Sequence, residues 1–214
     1  MAAMLLLAVL PARAQDLSAQ NPSADERRCT GLWRATSEER VASCTTLIDS
    51  GRYQPVNLAI LHDNRGMAFR AKGDLTNARS DFDQAISLNQ NYTRGYANRG
   101  NLAFAQRDFD GAIADFNQAI KLDAAEASLF MARGNAYDGK DDGDRAIADY
   151  DQAIKLYPTA AAYNNRGSAW AAKGEIEPFA LGVAAVDIGI GQTRIEFYRL
   201  IVIGNRAVEI AFVA

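Results

Sequence analysis

The sequence predicts an all-α protein, a solenoid of antiparallel helical hairpins that ends in a C-terminal segment of β-like or disordered character. Two observations predict the solenoid: residue types recur every 34 positions through the middle of the chain, and the apolar positions within each period have helical spacing. Such a period is typical of stacked supersecondary units. The recurring positions hold a glycine (66, 100 and 134), an alanine (78, 112 and 146), an aromatic residue (82, 116 and 150) and a second alanine (85, 119 and 153).

Each period is predicted to contain two amphipathic helices separated by a polar break. In the second helix of the middle period, the apolar residues Ala112, Ile113, Phe116, Ala119 and Ile120 follow the i, i+1, i+4, i+7, i+8 pattern of a single buried stripe. Each polar break ends in an aspartate that can cap the helix after it. These aspartates are Asp74, Asp108 and Asp142.

Glycine, arginine and aspartate also recur in register. A glycine inside a helix is less stable than alanine by about 1 kcal/mol, so its recurrence predicts that two helix backbones approach closely there, with the alanines at 78, 112 and 146 facing it. The arginines are predicted to pair with the aspartates of a neighbouring helix rather than with a ligand. They are Arg65, Arg99, Arg133 and Arg166, with Asp81, Asp115 and Asp149.

The 34-residue period resembles the tetratricopeptide repeat (TPR). The segments Lys72-Gly73-Asp74, Asn165-Arg166-Gly167 and Ala146 to Leu156 resemble, more closely, the exported TPR proteins of alphaproteobacteria. The resemblance covers about residues 25–175 and implies an array of helical hairpins with a concave groove. The predicted units are TPR 1 at 59–92, TPR 2 at 93–126, TPR 3 at 127–159 and the first half of TPR 4 at 160–177.

A degenerate capping hairpin is predicted at residues 25–58. Residues 40–48 copy the second-helix pattern, with Cys44 where the aromatic residue belongs, and Cys29 then lies on the partner helix. We expect the two cysteines to form a disulfide if the chain is exported, which would stabilise the cap by roughly 3 kcal/mol. Two buried thiols are the alternative. The cysteine spacing does not suit zinc, and no metal site or cofactor is predicted.

The N-terminus reads as a secretory signal peptide at residues 1–14, followed by a linker at 15–24. An apolar run from Met4 to Leu10 precedes the trio Ala12-Arg13-Ala14, which predicts cleavage after Ala14. No Lys or Arg precedes the apolar run, so an upstream start codon or an ordinary disordered N-terminus is the alternative. The expected location is the periplasm or the exterior of a bacterium.

The tail at residues 178–214 departs from the repeat. Read directly, two apolar runs flank Gly204-Asn205 and predict a β-hairpin. Read backwards through complementary codons, the same residues permit a TPR second helix, and Arg206 and Ala184 take the 22-residue spacing that separates Ala78 from Gly100. We therefore interpret the tail as the antisense reading of a TPR unit, with a genuine β-rich tail as the alternative.

Composition indicates a protein or peptide partner. The 23 Lys and Arg residues are outnumbered by 26 Asp and Glu residues, a balance that argues against nucleic acid. His62 is the only histidine, and both cysteines are assigned to the cap, so no catalytic triad or dyad is predicted. The acidic turn at 141–144 lacks the spacing of a calcium loop.

The TPR resemblance implies that the first helices of the hairpins line a concave, peptide-binding groove. Asparagine dominates the corresponding positions, and its amide can both donate to and accept from a peptide backbone. A solvated polar groove is the alternative, and Asp63 stands where carboxylate-clamping TPRs carry lysine. The predicted groove residues are Asn64, Arg70, Arg94, Asn98, Asn101, Asn135 and Asn165, with Asp63, Met67, Phe104, Asp138, Asn164 and Ser168 on the same face.

Two function classes follow from these observations. The first is a non-catalytic scaffold that binds a peptide or protein segment in the groove. The second is an accessory TPR region of a larger envelope enzyme or transport assembly. A corrected gene would discriminate them, because it would encode either further repeats or another domain.

Overall fold

A computed structural model describes residues 22–174, 198–203 and 206–211. Consecutive helices pack against one another along the chain, which confirms the predicted all-α solenoid. The predicted signal peptide and most of the linker lie outside the described residues. The helices are α1 (Ala24–Cys29), α2 (Ser37–Asp49), α3 (Pro55–Ala71), α4 (Leu75–Leu88), α5 (Thr93–Ala105), α6 (Phe109–Leu122), α7 (Ala127–Asp138), α8 (Gly143–Leu156) and α9 (Ala160–Ala172), and the strands are β1 (Tyr198–Ile203) and β2 (Arg206–Ala211).

Helices α3 and α4, α5 and α6, and α7 and α8 are the three hairpins that the period predicts, and α9 is the first helix of a fourth unit. Helix α3 starts at Pro55, within the residues assigned to the capping hairpin. Proline suits the first turn of a helix because the missing N–H would have no intrahelical partner there. No helix among the described residues is long and apolar enough to cross a membrane.

The predicted aspartate caps are confirmed. The side chains of Asp74, Asp108 and Asp142 each accept a hydrogen bond from a backbone N–H in the first turn of the second helix. The residue before each aspartate has a positive φ: 81° at Gly73, 60° at Arg107 and 60° at Asp141. Arg107 and Asp141 therefore adopt the left-handed conformation that Gly73 has in the first turn, at a cost of about 1 kcal/mol for each residue.

The helix glycines mark close contacts, as predicted, but the group that faces them is an aromatic ring. A Cβ atom placed on Gly66 would lie 2.7 Å from Cε1 of Phe82, and one on Gly134 would lie 2.7 Å from Cε1 of Tyr150. The atom of Ala78 that approaches this Cβ position on Gly66 is its backbone carbonyl oxygen, at 3.2 Å. The expectation that alanine side chains face the glycines is therefore replaced by ring-to-backbone packing.

The predicted arginine–aspartate pairs form, and each arginine also reaches a third helix. The Nε and Nη2 atoms of Arg99 donate to both carboxylate oxygens of Asp115 at 2.9 and 2.6 Å, while Nη1 donates to Asp83 of the preceding unit at 2.7 Å. Arg133 repeats this geometry with Asp149 and Asn117. We call this series, together with Arg65–Asp81 and Arg166–Asp151, the arginine ladder.

A disulfide joins Cys29 on α1 to Cys44 on α2, as predicted. Both cysteines are fully buried with Leu47 and Leu61. The Tyr53 hydroxyl donates to Glu26 at 2.8 Å, and burial raises the pKa of Tyr53 to about 12. The disulfide therefore joins the two helices of the cap, α1 and α2, and the cap packs on α3.

Strands β1 and β2 pair in antiparallel register, with Tyr198 opposite Ala211 and Ile203 opposite Arg206. This is the pairing that the direct reading of the tail predicts around Gly204-Asn205. The antisense interpretation concerns the gene and stays a prediction. The reverse complement of its 3′ end would have to encode a TPR second helix.

Candidate functional site

The predicted groove positions lie on the first helices of the four units, α3, α5, α7 and α9. Helix α3 contacts α5, α5 contacts α7, and α7 contacts α9. The first helices therefore lie side by side, and a residue at one position of a unit lies near its equivalents 34 positions away. The repeat sets up two junctions of contrasting chemistry, one between units 1 and 2 and one between units 3 and 4.

At the junction of units 1 and 2, a buried carboxylate collects the polar side chains. Asp63 is fully buried. It accepts from Nε of Arg94 at 2.6 Å, from Nδ2 of Asn98 at 2.7 Å and from the Tyr92 hydroxyl at 3.2 Å, while Arg94 also donates to Oδ1 of Asn64 at 2.7 Å. We call these five residues the Asp63 cluster.

The charges in the Asp63 cluster are matched internally. Burial alone would lower the pKa of the Arg94 guanidinium, but the adjacent Asp63 outweighs that effect and the pKa is raised. Burial and the Asp63 charge raise the pKa of the Tyr92 hydroxyl. Three of the predicted groove residues, Asn64, Arg94 and Asn98, are thus bonded to their neighbours in the chain. Peptide binding by these side chains stays a prediction, and Asn64 is itself buried.

At the junction of units 3 and 4, the side-chain amide of Asn135 is the common hydrogen-bond acceptor. Oδ1 of Asn135 accepts from the Tyr150 hydroxyl and from Nδ2 of Asn165, both at 2.9 Å. Burial, followed by the charges of Asp138 and Asp149, raises the pKa of the Tyr150 hydroxyl. The tyrosine therefore remains a neutral donor at physiological pH. Two predicted groove residues, Asn135 and Asn165, are brought together here.

An open groove of about 590 Å³ lies beside Asn135. We call it the C-terminal groove. Its apolar floor comes from α7 and from the end of α8, and Tyr157 on its rim is 68% exposed. The lining residues are Ala125, Glu126, Ala127, Ser128, Met131, Ala132, Asn135, Leu156, Tyr157 and Thr159.

Sequence reasoning missed most of this lining. Met131 lies two periods after Asp63, so the repeat register could have identified it. Tyr157 and Leu156 lie where α8 ends, outside the first helices to which the resemblance directs attention. Of the remaining predicted residues, Asn101 is exposed on α5 and Arg70 is half-buried near the end of α3.

Within residues 22–174 and the two strands, no cluster of His, Cys, Asp and Glu could hold a metal ion. Nδ1 of His62 lies 2.8 Å from Oδ1 of Asp81, which also accepts from Arg65. The single histidine therefore belongs to the arginine ladder, on the side of α3 that packs on α4.

Three sequence profiles match the chain, each described as a tetratricopeptide repeat. They cover residues 60–92, 93–124 and 131–186. The matches coincide with units 1, 2 and 3, and the third continues through α9. Together they span more than half of the chain. No curated protein sequence matches it.

Solved structures with the same fold include MamA, at 20% identity and a TM-score of 0.62, covering 72% of this chain and 86% of MamA. The first TPR of Spaghetti (RPAP3), bound to the HSP90 peptide SRMEEVD, has 20% identity and a TM-score of 0.55 and covers 56% of this chain and 96% of its own. A tetratricopeptide repeat protein from Parabacteroides merdae has 18% identity and a TM-score of 0.60, and the match covers 64% of this chain and 54% of that protein.

These similarities establish the fold, and the profiles agree in their register with the helices. Each profile match begins or ends within a few residues of a predicted unit boundary. The chain is a member of the tetratricopeptide repeat family.

Proposed function

We propose that the chain is a non-catalytic scaffold that binds a peptide or protein segment in its concave face, chiefly in the C-terminal groove. The observation that carries this proposal is the exposed apolar surface there, where Tyr157 and Met131 line an open groove with a polar rim. Concave apolar surface with a few convergent polar groups is the usual form of a binding site.

The volume of the C-terminal groove supports the proposal. At about 590 Å³ it falls within the range of roughly 300–1,000 Å³ that is common for ligand sites. An apolar side chain of a partner would be desolvated against Met131 and Leu156. The structure of the Spaghetti TPR with an HSP90 peptide offers a parallel, since that protein of similar fold holds a short peptide.

A photo-crosslinking amino acid at two exposed positions tests this proposal. Ser128 lines the C-terminal groove, whereas Thr76 lies on α4, a second helix. In extracts of the source organism, we expect crosslinked protein adducts with the label at position 128 and few with the label at 76. Equal labelling from both positions, or none from 128, would refute groove binding.

We further propose that the protein is exported to the periplasm or beyond. The apolar run Met4 to Leu10 and the Ala12-Arg13-Ala14 trio support it, and so does the Cys29–Cys44 disulfide, because such bonds persist in oxidising compartments. The mass of the protein recovered from a bacterial periplasm would then correspond to a chain that begins at Gln15. Recovery of uncleaved protein from the cytoplasm alone would contradict export.

A further inference from the structure

The C-terminal groove is lined and flanked by acidic side chains. Glu126 is the only lining residue with a charged side chain at neutral pH. The carboxylate of Asp123 accepts the N–H of Ala125, a lining residue, at 3.1 Å, which places a second negative charge at the same wall. Asp138 is exposed on α7, three residues after Asn135 and therefore on the same helix face.

Within the part of the chain that the structure describes, these carboxylates form no ion pair. Among the ion pairs of the described residues, none includes Asp123, Glu126 or Asp138. Exposed aspartates on the second helices do have such partners: Asp110 pairs with Lys140, and Asp144 with Lys173 at 2.5 Å. The groove therefore carries negative charge that a partner could match.

The remaining groups of the groove suit an extended backbone and an apolar side chain. Oδ1 of Asn135 is occupied by Tyr150 and Asn165, which leaves its amide Nδ2 as the donor available to a peptide carbonyl. Met131, Leu156 and Tyr157 supply the apolar wall. Methionine and tyrosine adapt well to differing apolar side chains.

We propose that the C-terminal groove binds a segment of a protein partner in which an apolar side chain lies next to a lysine or arginine. This inference rests on the proposed function. Charge complementarity carries the inference: an acidic peptide would bring further negative charge to the groove wall, where no lysine or arginine lines the surface to receive it. The apolar side chain supplies contact area, and the cation selects the partner.

The test is a charge exchange at one exposed lining position. Random dodecapeptides displayed on phage are selected on the full-length chain, and the enriched peptides are then measured against the unaltered chain, Ser128→Arg and Ser128→Glu. We expect enriched peptides with an apolar residue beside Lys or Arg. We also expect affinity to fall about tenfold in Ser128→Arg and to be kept or increased in Ser128→Glu. Thr76→Arg and Thr76→Glu on α4 are the matched controls.

Two failures can be told apart. If the enriched peptides are acidic and lose affinity in Ser128→Glu, the groove binds peptides but the inferred partner chemistry is wrong. If no peptide is enriched, or if neither Ser128 variant changes binding, the proposed function fails together with the inference. Equal helix content by circular dichroism shows that both variants are folded.

Discussion

The N-terminal and C-terminal halves of this array use the same repeat for different purposes. Between units 1 and 2, the concave side chains are bonded to one another around the buried carboxylate of Asp63. In unit 3, Met131 stands at the repeat position of Asp63 and lines an open apolar groove beside the amide of Asn135. A shared position in the repeat therefore does not imply a shared role: Asp63 bonds units 1 and 2 together, whereas Met131, two periods later, lines an open surface.

The largest effect that we expect concerns the covalent tie at the N-terminal end. Replacing both cysteines, as Cys29→Ala with Cys44→Ala, should lower the free energy of unfolding by roughly 3 kcal/mol, because a closed loop of about 15 residues restricts the unfolded chain. Urea denaturation measures the loss. Hydrogen exchange should accelerate most in α1 and α2, and an equal acceleration in α8 and α9 would contradict a stabilising role confined to this half.

The next prediction compares the stability contributed by the Asp63 cluster with that contributed by the hydrogen bonds of Asn135. Asp63→Asn should lower the free energy of unfolding by about 2 kcal/mol, because Arg94 loses its buried partner charge. We expect less than the full cost of breaking a buried ion pair, because the Arg94 side chain is 54% exposed. Asn135→Ala should lower the free energy of unfolding by about 1 kcal/mol, because the two neutral hydrogen bonds that it removes lie beside an open groove, where water can replace the lost acceptor. Thermal and urea unfolding of both variants provide the comparison, and equal losses would show that the two junctions are equivalent.

The smallest effect is a pH dependence in the N-terminal half. Burial alone would raise the pKa of Asp81, but hydrogen bonds from Arg65 and His62 outweigh it and the pKa is lowered. The unfolded chain therefore binds the proton first, and the stability that Asp81 contributes, present above pH 4, is lost as the pH falls through the folded-state pKa. Melting temperatures at pH 5 and pH 3 measure this loss. Asp81→Asn should reduce the difference between them, and an unchanged difference would assign the loss to other groups.

The fold was predictable because the same local sequence signals recur in three successive units. The 34-residue period, the aspartate caps and the arginine–aspartate pairs were each visible in three copies and are found in the structure. The cap was predictable from Cys44 at an aromatic position. By contrast, the glycine contact was assigned to alanine, since sequence spacing does not reveal which of two neighbouring side chains fills a gap.

The site was harder to predict because it depends on contacts between units. Register placed Asn64 and Asn98 on the concave face, but it could not show that Arg94 and Asp63 would bond to them there. The C-terminal groove owes its rim to Tyr157, in a connection outside the repeated helices. Such connections vary between units, so the period carries no information about them.

The arginine ladder gives the array a direction. Arg99 and Arg133 each bind the second helix of their own unit and that of the unit before, so every unit is fastened backwards along the chain. Arg166 of α9 extends the series, since it binds Asp151 on the second helix of unit 3. Because Arg99 and Arg133 each join three helices, replacing either one would loosen a hairpin and also its contact with the preceding unit.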